Sequence, residues 1–233
     1  MRTILRGGTD AGSMAIFDRA ALPRDYKLPD FTNPDYAGFQ QAGQLCILET
    51  CADGEYNVAL LLDEELRSLE REFSVSRNNS QLQVPSGTLN FCGLEFVFWP
   101  QGLEKHSHMG ETGQVAAGVY QAEVYEIEYP EGWEEEKLEE RLGSADYQSY
   151  ERGANRGCAL GCLFCVGVIA SLMAMIQFWI SGMIAVTLLL AVTGALWRRH
   201  ERAFKFLREK VEAQNRAIGA EFPFWIVRLN KIG

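Results

Sequence analysis

The sequence predicts an α+β protein: a mainly-β domain, built as a sandwich or a partly open barrel, followed by a transmembrane hairpin of two helices and a C-terminal amphipathic helix. Three observations lead there. Residues 1–130 hold several short apolar runs separated by Gly- and Pro-containing turns, the pattern of a small β fold. Gly157 to Trp197 contains no Asp, Glu, Lys or Arg. The charge also divides along the chain: residues 1–150 carry 11 basic and 26 acidic side chains, net −15, and residues 151–233 carry 11 and 5, net +6.

The β domain reads from its turns. Gly7-Gly8-Thr9-Asp10-Ala11-Gly12 reads as a turn before a strand at Ser13–Phe17, since it lacks the Lys of a phosphate loop. Gln44–Cys51 and Glu55–Asp63 are apolar, β-branched runs on either side of Ala52-Asp53-Gly54. An Asp-Gly pair in that position predicts a hairpin. A short helix capped by Asp63 is expected to follow, with Leu66 and Leu69 inward. Further strands are expected at Gln81–Val84, Thr88–Cys92 and Leu94–Trp99. Val119–Tyr129 alternates, but both of its faces mix polar and apolar residues and neither declares itself buried. Residues 23–43, with Pro23, Pro29 and Pro34, read as a loop.

Residues 131–156 form an acidic helix and linker. Glu134, Glu135, Glu136, Glu139 and Glu140 stand as a candidate docking face for a basic partner; the plainer reading is a solvated helix surface. The 41 uncharged residues 157–197 are about twice the roughly 20 that one bilayer crossing needs. They divide at 178–181 into spans Gly157–Gln177 and Gly182–Trp197. Gly157 and Gly161 form a GxxxG pair, and Cys158, Cys162 and Cys165 follow at i, i+4 and i+7. Together with Ser171 and Ala174 they make the expected packing face of the first span. Arg152 and Arg156 before the hairpin, and Arg198, Arg199, Arg202 and Lys205 after it, predict both termini in the cytoplasm of a cell whose inner membrane holds the hairpin.

Arg198–Ile218 reads as a basic amphipathic helix, with Phe204, Leu207, Val211 and Ile218 on one stripe. It lies either along the β domain or on an anionic lipid surface. The apolar segment Phe222–Val227 follows, and Pro223 restricts any strand there to a sheet edge.

No catalytic motif stands out. GxSxG, P-loop and HExxH patterns are absent from the sequence. His106 and His108, near Glu104 and Glu111, are the one metal-like cluster, and spacing fixes no third ligand. Cys46 and Cys51 read as buried structural thiols. The expectation is therefore a protein without catalysis, cofactor or metal. An acidic domain repels phosphate, which argues against nucleic acid as a partner.

Gly8–Asp18, Asp53–Val58, Val84–Gly87 and Gly118–Tyr120, in that order, resemble a poorly characterised family of bacterial β-rich immunity proteins associated with type VI secretion effectors. The resemblance covers about residues 1–130. It implies a protein that binds and neutralises one toxin, and the hairpin would suit a membrane-inserting or pore-forming one. A membrane-anchored scaffold or sensor, whose β domain binds a partner or small ligand, is the alternative expectation.

Overall fold

In the computed structural model the described residues are 1–23, 35–98, 109–177 and 179–232; side chains at 160, 164, 167 and 170–190 are outside that set. The chain forms two units. One joins Met1–Pro130 to Gly219–Gly233, and the other is Glu131–Ile218.

The first unit is built from two β-sheets. The five-stranded sheet has the order β1 (Arg2–Thr9), β4 (Gly54–Leu62), β9 (Trp225–Lys231), β8 (Gly118–Ile127), β5 (Ser74–Val84). The four-stranded sheet has the order β3 (Cys46–Glu49), β2 (Ser13–Phe17), β6 (Thr88–Gly93), β7 (Gly110–Gln114). Leu5, Val58, Leu60, Tyr120, Val124 and Val227 of the first sheet share a buried core with Met14, Ile16, Leu48, Leu89 and Phe91 of the second. Each outer face is covered as well. Ala15, Phe17 and Cys92 pack with Phe39 of α1 (Tyr36–Gln41). Ala59, Leu61, Ile127 and Ile226 pack with Phe73 of α2 (Ser68–Phe73).

Strand β9 decides the arrangement. It lies between β4 and β8, parallel to β4 with Val58 opposite Trp225, and antiparallel to β8 with Tyr125 opposite Ile226. Its side chains alternate between two cores: Trp225, Val227 and Leu229 enter the inter-sheet core and Ile226 enters the outer one. A strand buried on both faces reads as a continuous apolar run, which is why Trp225-Ile226-Val227 shows no polar alternation. Pro223 precedes the strand, so it removes no ladder hydrogen bond, and the expected edge position gives way to a central one.

Other expectations are corrected locally. Asp53-Gly54 does not close a hairpin: β3 and β4 belong to different sheets, and Gly54 pairs with Thr9 of β1. Cys51 at φ 59° turns the chain out of one sheet toward the other. The helix after β4 starts at Ser68 with Arg67 as its cap, four residues beyond the expected start; Asp63 is a bend at φ 48° whose N–H donates to Leu229 O. Leu94–Phe96 is a 3-10 turn, not a strand. Gly7 and Gly8 lie in β1, where a Cβ at Gly7 would meet Met14 and Phe91.

The second unit contains α3 (Trp133–Leu142), α4 (Ser144–Gln177) and α5 (Trp179–Glu221). Gly143 separates α3 from α4 at φ 82°, a conformation that suits glycine. Helices α4 and α5 run antiparallel: Asp146 meets Lys210 at 2.5 Å, Tyr150 stacks on Phe204 at 5.6 Å, and a Cβ at Gly157 would meet His200.

The expected transmembrane hairpin is not upheld. Among the described residues no helix is long and apolar enough to cross a membrane. Absence of charge is a weaker property than apolarity. Both helices also extend into charged turns, through Glu151, Arg152 and Arg156 in α4 and from Arg198 to Glu212 in α5. The mainly-β-plus-membrane-hairpin fold class, the two-span inner-membrane location and the termini assigned from the positive-inside rule are corrected with it.

Candidate binding cleft

One end of the two-sheet unit holds a cleft of about 840 Å³. Three walls form it. The first is α1. Asp35 caps this helix by accepting from Gly38 N–H at 2.9 Å. Phe39 packs on Phe98 at 4.7 Å between ring centroids, and the Tyr36 hydroxyl donates to Leu94 O at 3.4 Å. With the helix fixed on its aromatic side, Ala37, Gln40 and Gln41 line the cleft.

The second wall is the end of β2–β3: Ser13, Ile47, Glu49, Thr50 and Cys51. The N–H groups of Thr50 and Cys51 both donate to Gly12 O, at 3.1 and 3.0 Å, and this holds the turn. Cys51 is exposed.

The third wall comes from β5, β8 and β9 and contains the least regular feature of the sheet. Ser76 pairs with Tyr125 and Asn78 with Val124, so Arg77 is an extra residue in a β-bulge. A bulge bends its strand and re-aims a side chain. Here Arg77 Nε donates to Glu126 Oε2 at 2.6 Å and Nη2 donates to Glu128 Oε1 at 2.6 Å. The hydrogen bond that Arg77 donates to Glu126 and the charge of that carboxylate, with Glu128 adding to them, raise the guanidinium pKa above its ordinary value. Val124 and Trp225 are buried in the core beneath this wall.

The cleft therefore has an apolar floor and a rim of amides, hydroxyls, a thiol and carboxylates. Arg77 is already paired, so among the described residues the rim presents Glu49 as uncompensated negative charge more than it presents Arg77 as positive charge. Among the described residues no imidazole lines it. Such a lining suits recognition of a polar chain: amides match backbone donors and acceptors, and an apolar floor takes a side chain.

The residues singled out in the sequence lie elsewhere. Glu134, Glu135, Glu136 and Glu140 are exposed on α3 and Glu139 is half-buried; Lys137 pairs with Glu140 at 2.7 Å and lowers its pKa. Three of these acids occupy the first turn, where the helix dipole favours negative charge. Gly157 and Gly161 turn toward His200 and Trp197 of α5, whereas Cys158, Cys162 and Cys165 are exposed. The side chains of Ser171 and Ala174 are outside the described residues, as are Glu104, His106 and His108. Glu111 lies on β7. Among the described residues no group of three His, Cys, Asp or Glu could hold a metal ion. Cys46 and Cys92 are buried, and burial pushes each thiol up to about 12.

The sequence pattern offered no sign of the cleft. Arg77 sits in a polar stretch, Ser74–Ser80, without periodicity, and the bulge that aims it appears only once β5 is paired with β8.

No protein family matches the chain, and neither does any curated protein. A solved structure titled "Crocagin biosynthetic gene J" aligns with 58% of this chain and 79% of its own, at 19% identity and a TM-score of 0.37. That is a distant likeness. Nothing in the comparisons supports toxin immunity or type VI secretion, and those expectations are withdrawn.

Proposed function

We propose that the two-sheet unit is a non-catalytic binding module whose cleft captures a polar, neutral-to-basic segment of a partner protein. The observation that carries this is the cleft wall itself. A bulge places Arg77 where Glu126 and Glu128 neutralise it, leaving Glu49, Gln40, Gln41 and Asn78 to face an occupant over the Val124–Trp225 floor. Amide-rich rims hydrogen-bond peptide backbone without demanding one sequence, and a residual carboxylate favours Lys or Arg. The cleft's volume also suits a small organic ligand, for which about 300–1,000 Å³ is usual. That is the second reading.

The test is selection of binders from a random dodecapeptide library on the full chain, in parallel with an NMR fragment screen. The reading predicts peptides enriched in Lys, Arg, Asn and Gln. Their binding falls at least tenfold in Ala37→Trp, which fills the cleft from an exposed helix position, and in Glu49→Lys. Peptides that bind both variants as well as wild type would refute it. Fragments confined to the cleft, with no peptides selected, would favour the small ligand.

A further inference from the structure

A second surface lies away from the cleft, at the seam where the two sheets end side by side. Strand β1 is the last strand of one sheet and β7 the last of the other. A groove of about 530 Å³ runs between them, lined by Ile4, Leu5, Asn90, Glu111 and Thr112 among others.

The register defines which backbone groups face it. The Leu62 N–H donates to Met1 O, so in antiparallel pairing the odd-numbered residues of β1 exchange bonds with β4. Residues 2, 4 and 6 then aim their N–H and C=O groups outward. The Arg6 N–H confirms the parity: it donates to Glu111 Oε2 at 2.9 Å. A side-chain carboxylate thus stands where the carbonyl of a neighbouring strand would stand. The Gly8 end is closed, because Met109 lies over it within 3.0 Å of a Cβ position. Among the described residues, the open edge is Arg2–Arg6.

We propose that this edge accepts an extended peptide as a sixth strand, and that the peptide carries a Lys or Arg opposite Glu111. An arriving strand supplies a carbonyl to the Arg6 N–H and displaces Glu111. The freed carboxylate then needs a cation, which the peptide's basic side chain provides. The edge's own cations do not compete, since Arg2 pairs with Glu70 and Arg6 with Glu55. Self-pairing is disfavoured: two β1 strands crossing at Ile4 would place Arg2 opposite Arg6 of the other copy, on one face. This inference is independent of the cleft.

The probe is an acetylated, amidated nonapeptide of alternating Thr and Val with a central Lys, titrated by fluorescence anisotropy into the full chain. The expected result is saturable binding. It weakens at least tenfold when alternate peptide nitrogens are methylated, and when the central Lys becomes Glu. Glu111→Lys reverses the Lys-over-Glu preference. Arg6→Pro removes the outward N–H, spares the β4 ladder and abolishes binding without loss of cooperative unfolding. Ala37→Trp leaves binding unchanged. Absence of binding, indifference to N-methylation, or no reversal in Glu111→Lys would overturn the proposal. A concentration-dependent dimer that Arg6→Pro dissolves would also overturn it, in favour of a second copy of the chain.

Discussion

Arg77 and Glu126 are joined across β5 and β8 by a 2.6 Å hydrogen bond that exists because Arg77 is the extra residue of a bulge. In regular pairing the same side chain would follow the alternation of β5 and point elsewhere. The bulge thus converts an irregularity of the sheet into a defined wall of the cleft.

Replacing Arg77 separates binding from stability. Its side chain is 45% exposed, so each of its ion pairs contributes at most about 1 kcal/mol. Arg77→Ala is expected to lower the melting temperature by no more than about 8 °C. It also releases Glu126 and Glu128, making the rim more acidic. Selected cleft peptides should therefore lose backbone affinity but gain dependence on Lys or Arg, read as a steeper loss of binding with added salt.

Removing β9 should be far more damaging than removing an edge strand. A chain ending at Ala220 lacks Trp225, Ile226, Val227 and Leu229, all buried. Burial of each such side chain stabilises by about 1.5–3 kcal/mol, and the sum approaches the whole stability of a typical domain. It also leaves β4 and β8 with no partner between them. Loss of the near-UV circular dichroism signal and of cooperative urea unfolding is expected.

Beneath the outer face of the five-stranded sheet, Arg2 and Glu70 form an ion pair at 2.5 Å with side chains 12% and 3% exposed. Glu70 also accepts from the Arg67 N–H at 2.9 Å, capping α2. Glu70→Ala strands a buried guanidinium and removes the cap, and should cost about 3–5 kcal/mol by urea denaturation. The double replacement Arg2→Met with Glu70→Leu should recover most of that loss, because no buried charge is then left alone.

Alkaline pH should destabilise the fold through Cys46 and Cys92. Burial raises both thiols from 9.0 to about 12. Between those values the unfolded chain loses these protons while the folded chain keeps them, so stability falls as pH rises from about 9 toward 12. Below pH 9 the two thiols contribute no slope. Urea midpoints measured from pH 7 to 10.5 should decline above 9, and Cys46→Ala with Cys92→Ala should flatten that decline.

Local features were legible where short-range chemistry sets them. Ser13–Phe17 is an apolar run after a Gly turn and is β2. The acidic segment 131–156 does contain a helix, although Gly143 at φ 82° divides it where a continuous helix and linker are expected. What the sequence could not show depends on distant pairing. The buried face of β8, carrying Tyr120, Ala122 and Val124, is chosen by β5 and by β9 about a hundred residues later. The Asp53-Gly54 signal misleads: the bend falls at Cys51-Ala52, Gly54 is already the first residue of β4, and its partner is Thr9 of β1. The run from Gly157 to Trp197 carries no Asp, Glu, Lys or Arg. The helices that contain it extend into charged turns on either side, and Asp146 and Lys210 tie those turns together. The cleft draws on α1, β2, β3, β5, β8 and β9, and no sequence window contains more than a fraction of it.

The most direct measurement of the central claim is alkylation of Cys51, followed residue by residue by mass spectrometry, with and without a saturating cleft-selected peptide. Cys51 lines the cleft and is exposed, while Cys158, Cys162 and Cys165 are exposed on α4 and serve as internal references. The account predicts that the peptide slows modification of Cys51 at least tenfold and leaves the three helix thiols unchanged. Unaltered reactivity of Cys51 in the saturated complex would contradict it.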